Sequence, residues 1–378
     1  MGKITNLYIE PTSNCNLSCT MCSRNYWKNE PIGHMEMSTF DSIMKNIPES
    51  VNRIFFGGVG EPLTHPDIIP IIRRAKETGR MVEMVTNGTL LDPEMSTAII
   101  DVGLDELWVS MDSMHEESIE SVDEINKVDV LANVKAFINQ MPMRHAYRLY
   151  ANTKNIKRTK VGIAFVLMKS NLDQFNRLIK EAPGMGISDI MATHLIPHEP
   201  SQASEICYER LMSLRMFRER GKQPTHVDMP LTEGKLVGEG NVIEDFTSPN
   251  TSLSILGNPI LHKRNRCKFV EEGYVFVRWD GEVSPCMALL HDNHVVQQGA
   301  KQYNRFCTYG NIKENSLQSI WDSQEYKSFR KRVIDFTFSP CVTCGPCNLF
   351  ESNLTDCEGN PFPTCGACLW AQGLFQCP

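Results

Sequence analysis

Three cysteines, Cys15, Cys19 and Cys22, lie in the run Asn14-Cys15-Asn16-Leu17-Ser18-Cys19-Thr20-Met21-Cys22, a C-x3-C-x2-C spacing. A four-iron, four-sulfide cluster takes one thiolate per iron, so three thiolates leave one iron open to a further ligand. An unfilled coordination position separates a catalytic metal from a purely structural one. The run follows the apolar stretch Ile4–Ile9, which reads as a first strand. The loop then sits at a strand's C-terminal end, where parallel α/β folds assemble their chemistry.

Other strand ends supply polar or glycine-rich segments on the same expected face. Phe56-Gly57-Gly58-Val59-Gly60-Glu61-Pro62 ends the second strand. Glycines there let backbone groups approach a ligand closely, although a tight strand-to-helix turn explains an isolated loop of this kind equally well. Thr86-Asn87-Gly88 ends the third strand and Ser110-Met111-Asp112-Ser113 the fourth. Such residues also cap helices, so capping is the plain alternative. His194 and His198 lie at the end of the sixth strand as candidate acid/base groups, against which a solvated loop position is the plain reading for a lone histidine. Arg24, Tyr26, Trp27 and Lys28 follow the cysteine loop and line the expected substrate mouth.

The chain has fourteen cysteines: the three above, Cys207, and ten between Cys267 and Cys377. Clustered thiols without a secretory leader point to metal rather than disulfides. Read alone, the C-terminal C-x2-C pairs favour structural zinc, and the three-cysteine loop turns that reading toward iron–sulfur. Cys267, Gly281 and Cys286 bracket a β-hairpin pattern with an Asp280-Gly281 turn. Cys341, Cys344, Cys347, Cys357, Cys365, Cys368 and Cys377 follow. With Cys267 and Cys286 these make nine, one more than two fully ligated four-iron clusters need. Cys207 and Cys307 fall outside the pattern and read as ordinary thiols.

Strand-like runs at Ile4–Ile9, Val51–Phe56, Met81–Thr86, Glu106–Met111, Lys160–Met168 and Ile187–Leu195 alternate with five helical patterns. These are Ser38–Ile47, Asp67–Thr78, Asp92–Val102, His115–Gln140 and Asn171–Ala182. Six such units predict a parallel sheet with right-handed crossovers, too few strands to close an eight-stranded barrel. The expected architecture is a partial (β/α)6 barrel over residues 1–200 and a small cysteine-rich domain over 267–378. Between them, 201–266 reads as a bridging helix (Ser204–Arg220) and a Gly-, Pro- and Ser-rich linker from Thr225 to Pro259.

The 378 residues are 41% hydrophobic and 22% charged, with a formal net charge of −7. That balance argues against non-specific nucleic-acid binding. With no apolar run able to span a bilayer and no leader, a cytoplasmic protein is expected.

Together these motifs resemble the radical S-adenosylmethionine (SAM) superfamily with a C-terminal SPASM domain. The C-terminal run Cys365-Gly366-Ala367-Cys368-Leu369-Trp370 through Cys377, with Gly310-Asn311-Ile312 and Cys341-Val342-Thr343-Cys344-Gly345, is similar to the subgroup of tungsten-dependent aldehyde oxidoreductase maturases. The resemblance implies a SAM-binding [4Fe–4S] cluster on Cys15, Cys19 and Cys22 and two auxiliary [4Fe–4S] clusters on the C-terminal cysteines. It implies SAM contacts from Gly57, Gly58, Glu61, Asn87, Ser110 and Asp112, with Met21 near the adenine. It also implies one-electron cleavage of SAM to a 5′-deoxyadenosyl radical that abstracts hydrogen from a substrate C–H bond. The expected substrate is a protein, a peptide or a pterin-type cofactor, with a ferredoxin or flavodoxin as electron donor. A peptide-crosslinking enzyme and a non-enzymatic electron carrier or metal-stapled binding module are the competing classes.

Overall fold

The computed structural model describes residues 2–27, 29–114, 129–150, 158–207, 252–255, 267–297, 299–339, 341, 347–371 and 375. Six strands, β1 (Asn6–Ile9), β2 (Arg53–Phe56), β3 (Met81–Thr86), β4 (Glu106–Met111), β5 (Lys160–Leu167) and β6 (Asp189–His194), lie side by side in chain order, all parallel. Their crossovers carry α1 (Met37–Lys45), α2 (Ile68–Glu77), α3 (Pro93–Val102), α4 (Val130–Tyr150) and α5 (Leu172–Met185). The predicted α/β alternation is borne out. Residues 115–128 of the expected fourth helix lie outside the described residues.

Local chemistry sets these boundaries. The Asp92 carboxylate accepts from the Met95 amide and Pro93 opens the first turn of α3. Gly103 ends that helix at φ 78°, a left-handed conformation that costs glycine little. On α2, Ile68, Ile71, Ile72 and Ala75 repeat at helical spacing and bury one face on the sheet.

The sheet is larger than the sequence implied. β7 (Ser252–Ile255) pairs parallel with β6, inside the stretch read as linker. At the other edge β8 (Tyr274–Val277) pairs parallel with β1, and β9 (Val283–Ser284) turns back antiparallel on β8. The nine strands run β7-β6-β5-β4-β3-β2-β1-β8-β9. The cysteine-rich segment is therefore hydrogen-bonded into the same sheet as the six β/α units. It adds a separate antiparallel pair, β10 (Asn293–Gln297) and β11 (Ala300–Asn304), and the helices α6 (Lys268–Glu271), α7 (Leu317–Asp322) and α8 (Gln324–Asp335).

Alternation along each strand divides the side chains between two cores. Leu7, Ile54, Phe56, Met84, Leu107 and Phe165 pack under the helices. Tyr8, Phe55, Trp108, Met191 and Phe276 fill the opposite face, where Tyr8 stacks on Phe55 at 4.8 Å and on Phe276 at 4.7 Å. Gly162 makes room for Trp108: a Cβ there would lie 2.6 Å from the indole. Arg53, donating from Nε to Glu83 at 2.6 Å and from Nη1 to the Tyr274 hydroxyl at 3.2 Å, joins β2, β3 and β8 on this face.

Candidate active site

The C-terminal edge of the sheet gathers the loops picked out in the sequence. Ile9 and Phe56 are in register at the ends of β1 and β2, and Leu167 aligns with His194 at the ends of β5 and β6. The cysteine loop and the glycine-rich loop then meet through backbone. The Glu61 amide donates to the Asn14 carbonyl at 2.7 Å. A Cβ on Gly60 would lie 2.4 Å from the Thr12 carbonyl oxygen and 2.5 Å from that of Asn14. Gly60, which the sequence reading passed over, is thus the residue that lets the two loops close on each other.

Glu61 is buried, and its carboxylate accepts from the Leu63 amide (3.0 Å), the Thr86 hydroxyl (2.7 Å) and the Asn87 amide (2.6 Å). Burial pushes its pKa up to about 7 against those donors. Its bonds tie the end of β3 to the glycine loop. Asn87 passes the link onward: its Nδ2 donates to Asn16 Oδ1 at 2.9 Å and lies 3.9 Å from Cys15 Sγ. Gly57 packs on the Tyr8 hydroxyl, and Gly58, at φ 136°, lies against Glu10. Ser110 is exposed at the end of β4. Burial raises the pKa of Asp112, and its charge reaches Cys19.

Of the three loop cysteines, Cys19 is exposed. Desolvation of its thiol, then the charges of Cys22, Asp112 and Cys15, push its pKa up to about 11. Burial likewise raises Cys15. Thiols this weakly acidic and this close together gain by trading protons for a cation, so metal uptake here releases protons. Among the described residues no three His, Cys, Asp or Glu side chains already stand as a finished metal-ligand group. The donor set (three soft thiols on a surface loop, one of them exposed) fits a cluster with one open iron.

The loop is braced from the C-terminal segment. His291 sits between two carboxylates, Nε2 at 2.9 Å from Glu10 and Nδ1 at 2.9 Å from Glu30, under the Trp27 ring at 4.7 Å. Glu10 follows β1, and its carboxylate also accepts from the Val59 amide of the glycine loop at 3.1 Å. Arg278, paired with Asp280 at 2.6 Å, reaches Glu30 at 3.7 Å. These residues carried no signal in the sequence beyond a charged residue at a strand end. His194 and His198 are buried, not solvated. Desolvation lowers His194 to about 4, and His198 Nδ1 lies 2.5 Å from the His294 carbonyl. Gln202 donates to the Thr20 carbonyl (2.7 Å) and to Tyr26 (3.2 Å), fastening the loop after β6 to the cysteine loop.

A second thiol group lies under the hairpin. Cys267, Cys286, Cys365 and Cys368 line one pocket with Phe269, Val270, Phe329, Val333 and Trp370, and among the described residues no charged side chain borders it. Burial, and then mutual repulsion, lifts Cys267 to about 12 and raises Cys286 and Cys365 well above the ordinary thiol value. Four thiols in an apolar pocket would supply one ligand per iron of a four-iron cluster and leave no position open. Cys341 is partly exposed, Cys347 and Cys357 are exposed, and the Ser339 hydroxyl lies 3.0 Å from Cys357 Sγ. Cys344 and Cys377 lie outside the described residues. Cys207 and Cys307 are both buried, and burial pushes each up to about 11. No described helix is long and apolar enough to cross a membrane.

Comparison with known proteins agrees with this geometry. Residues 9–182 match the Radical SAM superfamily, and residues 267–348 match SPASM, an iron–sulfur cluster-binding domain. The chain is 27% identical to the tungsten-containing aldehyde ferredoxin oxidoreductase cofactor-modifying protein of Pyrococcus furiosus, over 98% of this chain and 96% of that one. It is 24% identical to the AdoMet-dependent heme synthase of Methanosarcina barkeri, over 85% and 82%. Among solved structures, anSMEcpe with bound AdoMet and Cp18Cys peptide superposes with a TM-score of 0.56 at 18% identity, covering 98% of this chain and 95% of that one. SuiB of Streptococcus suis bound to S-adenosylmethionine gives 0.56 at 16%, covering 87% and 68%. The cofactors of such enzymes are a [4Fe–4S] cluster and SAM. The chain carries a radical SAM domain over residues 9–182 and a C-terminal SPASM domain over residues 267–348.

Proposed function

We propose that this chain is a radical SAM maturase that modifies a component of a tungsten-dependent aldehyde oxidoreductase system, whether the protein, an associated peptide or its pterin-type cofactor. The observation that carries the chemistry is the closure of the three-cysteine loop onto the glycine-rich loop at Gly60 and Glu61. The assignment to a tungsten system is supported by the similarity that runs through nearly all of both chains.

In this reading Cys15, Cys19 and Cys22 hold the cluster, and the Gly57–Glu61 loop, Asn87, Ser110 and Asp112 surround SAM. Bound there, the cluster and SAM supply one-electron reductive cleavage and a hydrogen-abstracting radical. The chain's own work is placement. Glu61 fixes the glycine loop to β3, Asn87 fixes β3 to the cysteine loop, and the segment containing Gln202 covers that loop against water. Cys267, Cys286, Cys365 and Cys368 hold a fully ligated auxiliary cluster suited to moving electrons rather than binding substrate. A second auxiliary site draws on Cys341, Cys344, Cys347, Cys357 and Cys377. The domains divide at about residues 200 and 267, and the enzyme works in the cytoplasm with electrons from a ferredoxin or flavodoxin.

The test is iron and sulfide content after anaerobic reconstitution, for the native chain and a Cys15/Cys19/Cys22→Ala variant. About twelve irons falling to about eight is expected, with dithionite-driven release of 5′-deoxyadenosine only from the native chain. Zinc in place of iron, or no nucleoside from cluster-replete protein, sinks the radical chemistry. Nucleoside release that the tungsten oxidoreductase, its peptide and its pterin all leave unproductive sinks only the tungsten assignment.

A further inference from the structure

Ser339, beyond the end of α8, is 1% exposed and joins the segments of Cys341, Cys357 and Cys365–Cys368. Its hydroxyl oxygen lies 3.0 Å from Cys357 Sγ. Its carbonyl accepts from the Cys341 amide at 2.8 Å. The same carbonyl packs on Gly366, between Cys365 and Cys368. A Cβ on that glycine would stand 2.0 Å from the Ser339 carbonyl oxygen and 3.4 Å from Cys341 Sγ.

The surrounding bonds fix which way the hydroxyl hydrogen points. A serine hydroxyl carries one hydrogen and accepts through its lone pairs. The Glu358 amide donates to Ser339 Oγ at 3.2 Å, so the oxygen is engaged as an acceptor and its hydrogen is left for Cys357. A thiolate has no hydrogen of its own to give, and a metal-ligating cysteine is a thiolate. The contact is then an O–H···S⁻ bond, of the charge-assisted kind. The turn that carries Cys357 is knotted on the buried Asp356 carboxylate. That carboxylate accepts from the amides of Ser339 (3.0 Å), Glu358 (3.1 Å) and Asn360 (2.9 Å) and from Asn360 Nδ2 (2.9 Å). None of these bonds uses the Ser339 side chain. Removing the hydroxyl therefore leaves the turn intact and the Glu358 amide still bonded to Asp356.

We propose that the Ser339 hydroxyl donates to the Cys357 thiolate of the second auxiliary site, a positioning residue that raises the reduction potential of the metal group held there. The inference rests on the reading that Cys357 is a ligand of that site. Hydrogen bonds to ligating sulfur help set the potential of iron–sulfur groups. Reduction makes the thiolates more negative, so a donor on one of them stabilises the reduced form more than the oxidised one. Cys357 is exposed, and water is a partial substitute for a lost donor. The expected shift is therefore several-fold in equilibrium constant rather than many orders of magnitude.

The experiment is an EPR-monitored reductive titration of reconstituted protein in a Cys15/Cys19/Cys22→Ala background, which leaves only the auxiliary sites. Ser339→Ala is expected to lower the reduction equilibrium constant of one cluster about fivefold, a shift of about 41 mV for one electron. The other cluster and the iron content are expected to stay as in the parent. Ser339→Thr keeps the hydroxyl and is expected to stay within about twofold of the parent. Cys357→Ala is expected to lose about four irons. Two unmoved potentials in Ser339→Ala at full iron content overturn the proposal and leave the hydroxyl a packing contact. A Cys357→Ala chain that keeps all its iron overturns the underlying reading instead, since Cys357 is then the spare thiol. Should Ser339→Ala load incompletely, a Ser339→Thr potential more than about fivefold from the parent's in equilibrium constant overturns the proposal by itself.

Discussion

His291 and Glu10 form a buried pair across the line between the six β/α units and the cysteine-rich segment, with Nε2 2.9 Å from Oε2. Because Nδ1 is also 2.9 Å from a Glu30 carboxylate oxygen, both ring nitrogens face acceptors, and both are bonded only when the ring is an imidazolium. The two carboxylates outweigh burial and push the His291 pKa up to about 9 from 6.5. Glu30 belongs to the segment after the cysteine loop, and Glu10 also holds the Val59 amide of the glycine loop. The pair therefore clamps both loops of the candidate site to the C-terminal segment.

A raised histidine pKa stabilises the fold only while the ring is charged. The contribution is fully present below pH 6.5, shrinks as pH climbs, and is gone above pH 9. Its size is on the order of 3 kcal/mol. His291→Gln leaves Glu10 buried without its cation, which costs about 3–5 kcal/mol. The expected result is a large loss of stability in urea at pH 6 and a much smaller one at pH 9.5, with Glu10, Glu30, Arg278, Asp280 and Asp292 unchanged around the site. Equal losses at the two pH values would show that the imidazolium is not what holds the loops.

Gly60→Ala tests the closure of the two loops directly. The new methyl would stand 2.4 and 2.5 Å from two backbone oxygens, which cannot rotate away as a side chain can. The glycine loop must then lift, breaking the 2.7 Å bond from the Glu61 amide to the Asn14 carbonyl. Overpacking of this kind costs about 1–3 kcal/mol. Iron uptake at the three-cysteine loop is expected to fall with it, read as loss of about four irons per chain. Gly184→Ala, on α5 with nothing within 4 Å of the added carbon, is the matched control and is expected to change neither. Full iron in the Gly60 variant would separate the two loops functionally.

How much of this was visible beforehand follows from the range of each interaction. The six parallel strands were legible because each is a short apolar run ended by glycine, proline or a capping residue. β7 was not, since four residues, Ser252-Leu253-Ser254-Ile255, inside a Gly- and Pro-rich stretch give too brief an alternation. The pairing of β8 with β1 joins Asn6 to Tyr274, and no local pattern encodes a partner that distant. The same holds for the thiols. Spacing suggested the hairpin pair Cys267 and Cys286, but only folding brings Cys365 and Cys368 to them and leaves Cys357 outside. Glu61 was legible as a residue of the site, yet its partners on β3 were not. Arg330 reads in sequence as one more charge on a polar helix, and its burial between Trp321 and Tyr326 depends on how α7 and α8 turn at Ser323.

Glu61 gives the last test, because its charge works against the fold that its hydrogen bonds support. Its pKa of about 7 lies above the ordinary 4.5, so between those values the folded chain holds a proton that the unfolded chain has released. Stability therefore falls as pH rises through that window, by up to about 3 kcal/mol. Glu61→Gln removes the titration. Its amide oxygen can still accept from Leu63 and Thr86, but its NH2 group faces the Asn87 amide donor. Two donors facing each other cost about 1–3 kcal/mol. Denaturation midpoints taken every half unit from pH 4.5 to 7.5 are expected to show a downward slope in the native chain and a flatter, lower curve in the variant. Parallel curves would mean that Glu61 stays ionised across the window, and that the strand-end amides hold it as a carboxylate despite its burial.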